Sequence, residues 1–191
     1  LGACGILLDI PASRGATRIL RLNVLVGLLM VAAAIYFAAV RLILRRAWPR
    51  GTVWIVLGVA ASLRVLMLAP PPVLSTDVYR YVWDGRMQAA GINPYRYIPA
   101  DPALAALRDT VVCPQINRAD YARTIYPPIA QMVFAAVGRV WDSVMGMRLA
   151  MLGFEALGII CLQWLLPLAG LPCERILIYT WNPLVLWSFA K

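Results

Sequence analysis

Runs of apolar residues separated by short polar clusters give this chain its outline. Leu22 to Val40 is a run of 19 residues whose one strongly polar member is Asn23, long enough as a helix to cross the ~30 Å of a bilayer's hydrocarbon. With its flank it predicts a transmembrane helix over 22–44. A second segment, 52–69, is interrupted by Arg64 alone and ends at Pro70-Pro71-Pro72. Arg64 stands six residues before Pro70, about 9 Å along a helix, so its guanidinium is expected to snorkel to the interface or to face a lipid-phosphate site. The shorter stretch 127–141, opened by Tyr126-Pro127-Pro128 and containing Arg139, either crosses the membrane or dips into it. Segment 149–169 is long enough to span although it holds Glu155 and Gln163, and 176–190 carries Asn182-Pro183 at its middle. The first eight residues, 1–8, have the pattern of the end of a further membrane segment, and the whole is expected to be a piece of a longer membrane protein.

Between the second and third segments lies a polar connection, 70–126, in which Tyr, Trp, Ile and Leu alternate with charges. That mixture is not the composition of disorder, and connections this long more often carry function than span distance. The pattern therefore predicts an all-α polytopic membrane protein with one large loop containing short amphipathic helices. Arg41, Arg45, Arg46 and Arg50 follow the first span without an acidic residue, against three arginines and one aspartate in the opposing 9–21 loop, a small bias that favours that end in the cytoplasm and the 70–126 loop outside it.

Composition agrees with a membrane solvent. Of 191 residues 62% are hydrophobic and 14% charged, and mean hydropathy is +0.73, which excludes an ordinary soluble domain. A net charge of +9 raises nucleic acid as a partner. The arginines, however, sit at the ends of apolar runs or among aspartates rather than on one soluble face, so lipid phosphate is the expected partner and nucleic acid is not. There is no histidine, and proton chemistry near neutral pH falls to carboxylates or tyrosine. Cys4, Cys113, Cys161 and Cys173 lack metal-ligand spacing; packing is their expected role, with a Cys113–Cys173 disulfide as the alternative.

The densest polar stretch begins at Ser75. On a helix, Asp77, Tyr81, Asp84 and Gln88 form one stripe with Arg80 on its flank, while Val78, Val82, Gly85 and Ala89 form an adjoining small apolar one. Ser75 or Thr76 would cap its start, Gly91 suits the position after its end, and Pro94 blocks continuation. Two roles are open to these charges. Asp77 could serve the helix dipole and Asp84 could pair with Arg80 four residues away, or the acidic, aromatic face could line a cavity at the membrane surface.

The run "DVYRYVWDGRMQAAGINPY", followed by "TIYPPIAQMVF" and then by "YTWNPLVLWSFA", resembles bacterial polytopic glycosyltransferases of the GT-C superfamily. The nearest groups are the polyprenyl-phosphate-mannose-dependent mannosyltransferases and the DUF2029, or glycosyltransferase family 87, enzymes. The resemblance implies a GT-C-like helical bundle in a bacterial cytoplasmic membrane. It also implies inverting transfer of a hexose, mannose by this likeness, from a polyprenyl-phosphate-linked sugar donor to a lipid or glycan acceptor. By the same likeness the acid at the exit of a transmembrane helix is the general base; Asp77 matches that position and Asp84 is held in reserve. Arg80 and Arg86 are the favoured partners of the leaving phosphate, ahead of Arg96 and Arg123, or else they are counterions of the aspartates. Tyr79, Tyr81, Trp83, Tyr95 and Tyr126 either stack on sugar faces or form an interfacial aromatic belt. Asn93 and Gln131 complete the expected substrate contacts. Glu155 is either functional or a partner for Arg148 or Arg139. A divalent cation is left open as cofactor, since Asp77 and Asp84 alone do not make a metal site. The alternative to an enzyme is a transporter, flippase or non-catalytic binding protein for polyprenyl-linked sugars.

Overall fold

The computed structural model describes residues 12–70 and 75–189; the expected membrane stub 1–8 lies outside them. Among the described residues every regular element is helical and no strand is present. The α-helices are α1 (Ala12–Arg45), α2 (Thr52–Leu68), α3 (Asp77–Ala89), α4 (Pro128–Val140), α5 (Val144–Leu168), α6 (Leu177–Thr180) and α7 (Pro183–Phe189), with 3₁₀ turns at Pro102–Leu107, Cys113–Gln115 and Cys173–Ile176.

Val26–Arg45 within α1 and the whole of α5 are long and apolar enough to cross a membrane. Leu28, Ile35 and Phe37 on α1 and Phe154, Leu157 and Trp164 on α5 are exposed, a surface suited to lipid and poorly suited to water. The 17 residues of α2 and the 13 of α4 extend about 26 Å and 20 Å, short of ~30 Å of hydrocarbon.

Helix α3 is the centre around which the loop folds. Val78, Val82, Trp83 and Met87 are buried against Phe134 of α4, Met147 of α5 and Leu104, Val112 and Ile116 of the 90–127 connection. Its contact with α4 is close because two glycines meet there. A Cβ on Gly85 would stand 2.3 Å from the Phe134 carbonyl oxygen, and one on Gly138 would stand 2.8 Å from the Gly85 carbonyl carbon. On its far side Arg86 ties the loop down: Nη2 pairs with Asp109 and Nε with Asp142, each at 2.9 Å, while Nη1 donates to the Leu107 carbonyl at 3.1 Å. The helix ends as its sequence predicts. Gly91 takes φ +77°, and the amides of Gly91 and Ile92 donate to the carbonyls of Gln88 and Met87 at 3.0 and 2.9 Å, a Schellman closure. At its start Ser75 Oγ accepts from the Asp77 amide at 3.2 Å, whereas Thr76 makes no side-chain cap bond.

Several expectations for the apolar part are corrected. Arg64 does not snorkel. It is buried, paired through Nη2 and Nε with both oxygens of Glu155 on α5, and Nη1 donates to the carbonyls of Ala60 and Thr180 at 2.9 and 3.1 Å. Glu155 is thereby the partner of Arg64, not of Arg148 or Arg139. Arg148 instead donates to the carbonyls of Met67, Leu68 and Pro70 at 2.7, 3.0 and 3.0 Å, closing the C-terminal end of α2 in the sense its dipole favours. The apolar run from Ile176 is not one helix. Pro183 has no amide to donate and disfavours helical geometry at Asn182, so the chain breaks there and Asn182 Oδ1 caps α7 by accepting from the Leu184 amide at 2.9 Å. Helix α5 begins five residues earlier than the hydrophobic run, at Val144, because Ser143 Oγ caps the Gly146 amide at 2.9 Å. Cys113 and Cys173 are both free thiols.

The Gly85–Gly138 contact yields a stability prediction. Gly85→Ala places a methyl group against backbone that has no rotamer with which to yield, so α3 and α4 must separate, at a cost of about 1–3 kcal/mol. Thermal unfolding of the detergent-solubilised protein checks this: a lowered Tm is expected, and an unchanged one contradicts the packing.

Candidate functional site

Asp77, Tyr81, Asp84 and Gln88 lie along one side of α3, and that side is turned to α4 and the chain leading into it. Tyr81 stacks on Phe134 with centroids 4.6 Å apart and meets Tyr126 edge-on at 4.9 Å. Asp84 is 0% exposed; its Oδ1 accepts from Arg80 Nε at 2.9 Å and its Oδ2 from Gln131 Nε2 at 2.8 Å. Gln131 also donates to Thr124 Oγ1 at 2.8 Å and accepts from Gln88 Nε2 at 2.7 Å. The stripe is therefore mainly an interhelical seam, held by a polar network in which Gln131 and Gln88 meet each other and Gln131 and Arg80 fill both oxygens of Asp84.

The first residue of the stripe reaches open space. A cavity of about 540 Å³ lies at the N-terminal end of α3, lined by Ser75, Thr76, Asp77 and Arg80 on one side and by Asn117, Arg118 and Ala122 to Tyr126 on the other. Asp77 Oδ1 accepts from Asn117 Nδ2 at 2.9 Å, a contact across 40 residues of sequence that turns the carboxylate toward the loop. Arg80 is 5% exposed. Its Nε is taken by Asp84 and its Nη1 by the Ala122 carbonyl at 3.0 Å, while the buried Nη2 has no hydrogen-bond partner among the described residues. A buried charged donor left unmatched costs free energy, and here it belongs to a residue on the cavity wall. With Arg118 and Arg123 the lining carries three guanidiniums against the single carboxylate of Asp77. That balance suits an anionic group beside a proton acceptor.

Burial shapes the two tyrosines nearest Asp77. The Tyr81 hydroxyl is pushed above its ordinary range by burial and then by the negative charge of Asp77. Tyr126 is pushed up further by burial, by Tyr81 and by Asp77. Both stay protonated at neutral pH. Among the described residues no three Cys, Asp or Glu side chains gather as metal ligands. An all-protein divalent site at the cavity would need more oxygens than Asp77 supplies.

Several expected contacts lie elsewhere. Asp84, fully buried with both oxygens engaged, has no route to an incoming hydroxyl; it positions Arg80. Trp83 is also 0% exposed, inside the α3 core, and presents no ring face to a sugar. Arg86 is occupied by Asp109 and Asp142. Burial alone would lower its pKa, but those two carboxylates outweigh it and hold the pKa above the ordinary value. Asn93 Oδ1 accepts from the Tyr95 amide at 2.9 Å in an exposed turn, and the Tyr95 hydroxyl donates to the Tyr126 carbonyl at 2.5 Å, bracing Tyr126. Gln131 is 3% exposed and joins helices instead of lining the cavity mouth. Tyr126 does line the cavity, as expected. Asn117 and Arg118 were not anticipated. The sequence offers only a polar pair directly after Ile116; in the structure Arg118 takes φ +54°, a left-handed backbone that a non-glycine residue seldom takes.

Comparison with known families gives the class. Residues 6–191 match the model of the MptA_B family, described as alpha-(1->6)-mannopyranosyltransferase, N-terminal domain. The match covers nearly the whole chain, which therefore belongs to this mannosyltransferase family. No curated protein and no solved structure matches it.

The contrast between the two aspartates can be measured. Asp84→Asn leaves the buried Arg80 without its counter-charge, a change worth about 3–5 kcal/mol when one partner of a buried pair is removed. Its apparent Tm should fall well below that of wild type. A variant that keeps its Tm and loses turnover would return Asp84 to the role of base.

Proposed function

We propose that the cavity at the start of α3 is where mannose passes from a polyprenyl-phosphate donor to a hydroxyl of a lipid or glycan acceptor, with Asp77 as general base and inversion at the sugar carbon. The observation that carries this reading is the pairing, on one wall of the cavity and three residues apart on one helix, of Asp77 with the unpartnered Nη2 of Arg80. As the acceptor oxygen attacks C1 of mannose, its proton goes to the Asp77 carboxylate. The bond from C1 to the phosphate oxygen breaks on the opposite face, and its electron pair stays with the departing polyprenyl phosphate. Arg80, held in place by Asp84, donates to the phosphate oxygens as their charge grows, with Arg118 and Arg123 adding positive potential at the mouth. Asp84 and the Ala122 carbonyl hold Nε and Nη1 before substrate arrives, and seating the phosphate has to uncover the buried Nη2.

In this reading the protein is a multi-pass, GT-C-like bundle of the bacterial cytoplasmic membrane, and the 70–126 loop carries the reaction outside the cytoplasm. The apolar α1 and α5 support the membrane setting, and the arginines in the last turns of α1 and just after it support the orientation.

The test uses membranes containing the intact gene product and polyprenyl-phosphate-[14C]mannose. Asp77→Asn should lower transfer by roughly 10²–10⁴-fold, the usual contribution of a positioned base, while Tm and donor binding stay near wild type. Unchanged transfer would remove Asp77 from the mechanism. Undiminished movement of the mannolipid across liposomes without any transfer, in wild type as in the variant, would favour a transporter.

A further inference from the structure

At the end of α5 away from α3, a hollow of about 460 Å³ opens between α1, α5 and the 3₁₀ turn at Cys173–Ile176, and its wall includes Leu44, Leu162, Leu166, Ile178 and Arg175. Arg175 is the one charged residue in the lining, which holds no carboxylate. Its side chain makes no hydrogen bond or ion pair with any described residue, and Nε is closed off from water as well. Glu174, its neighbour in the chain, is buried outside the lining. Arg64, by contrast, has Glu155, and Arg148 has the carbonyls at the end of α2. Leu44 is the last residue but one of α1, and Leu166 the last but two of α5, so the hollow begins where two membrane-length helices end. Tyr36, also in the wall, stands eight residues before Leu44, about 12 Å further in. Its hydroxyl is spent on the Ile178 carbonyl at 2.8 Å. The inner wall is thus largely apolar, and the charge sits in the turn that follows α5.

Resting on the membrane setting proposed above but not on its chemistry, we propose that this hollow is a site for one anionic phospholipid, its phosphate on Arg175 and an acyl chain along Leu162, Leu166 and Ile178. A guanidinium whose donors go unmet in an apolar wall costs free energy, and a phosphate ester matches it in both shape and charge. Inorganic phosphate would surrender water to leucine side chains for a single cation, whereas a phospholipid brings hydrocarbon for the rest of the wall. A zwitterionic headgroup fits less well, because no carboxylate lines the hollow to meet its ammonium. Arg41, Arg45, Arg46 and Arg50 stand at the same end of α1 and draw anionic lipid to that surface. None of them lines the hollow. The site is also separate from the one for the mannose donor. Helix α5 starts near α3 and runs 25 residues to Leu168, about 36 Å, so a phosphate on Arg175 is not the phosphate beside Asp77.

The experiment titrates the purified full-length protein with phosphatidylglycerol or with phosphatidylcholine of the same acyl chains and reads the apparent Kd of the first retained lipid by native mass spectrometry. Wild type should hold phosphatidylglycerol more tightly. Arg175→Gln should weaken that binding about tenfold, the effect of losing one charged hydrogen-bonding group, and leave phosphatidylcholine unchanged. Ile178→Trp, at a partly exposed position of the wall, should also weaken it and covers the case in which Arg175→Gln does not fold. Arg46→Gln, exposed and outside the lining, should change little. Equal affinity for the two lipids in wild type overturns the inference, as does binding that survives in the folded Arg175 and Ile178 variants. An equal loss in Arg46→Gln would replace the site by a diffuse basic surface, and displacement of the lipid by inorganic phosphate would make it an ion site; either result overturns the inference. No step requires mannosyl transfer, so an inactive lipid-binding protein would refute the proposed reaction alone, and an active one indifferent to headgroup charge would refute this site alone.

Discussion

The Arg80–Asp84 pair, sealed by Gln131, is the interaction on which the site depends. All three side chains are buried, and together they bridge α3 to α4 while one buried guanidinium nitrogen of Arg80, a residue of the cavity lining, has no partner among the described residues. Removing charges from water costs more than an ion pair normally returns unless its remaining hydrogen bonds are met. Here Asp84 is fully met and Arg80 is met save for Nη2. The arrangement fixes the direction of Arg80 rather than simply adding stability, and it can do so only because Gly85 and Gly138 let the two helices approach closely.

A comparable logic runs through the apolar half. Arg64 and Glu155 join α2 to α5 and, through the Thr180 carbonyl, to α6; Arg148 fastens the end of α2 to the start of α5. Each places an arginine where an amphipathic or apolar helix alone would leave register unspecified. Helix α5 is thus held along much of its length.

Much of this was legible in the sequence and some was not. Helical periodicity identified α3 with its stripe, its Gly91 ending and the apolar lengths of α1 and α5, because those features depend on residues a few positions apart. Spacing also anticipated the Arg80–Asp84 pair, four residues apart, but the partners of Asp77 and Arg64, Asn117 and Glu155, lie 40 and 91 residues away, and spacing carries no information on those. The stripe itself was ambiguous for the same reason. A polar face can line a cavity or seal a helix pair, and α3 does both, with Asp77 in the cavity and Asp84 and Gln88 in the seam. Arg86 and Trp83 share the helix with Asp77 yet point to the loop clamp and the core. Arg123, less favoured in the sequence, reaches the cavity because the chain after Ala119 folds back over α3.

The central claim is one of position: sugar carbon, phosphate and base meet at the N-terminal end of α3. A cryo-electron microscopy structure of the enzyme with a non-hydrolysable mannosyl phosphonate of a polyprenol tests it directly. The phosphonate should lie within hydrogen-bond distance of Arg80 Nη2, with Asp77 on the face of C1 away from it. Density for the phosphonate at any site that leaves Arg80 and Asp77 without contact would contradict the account.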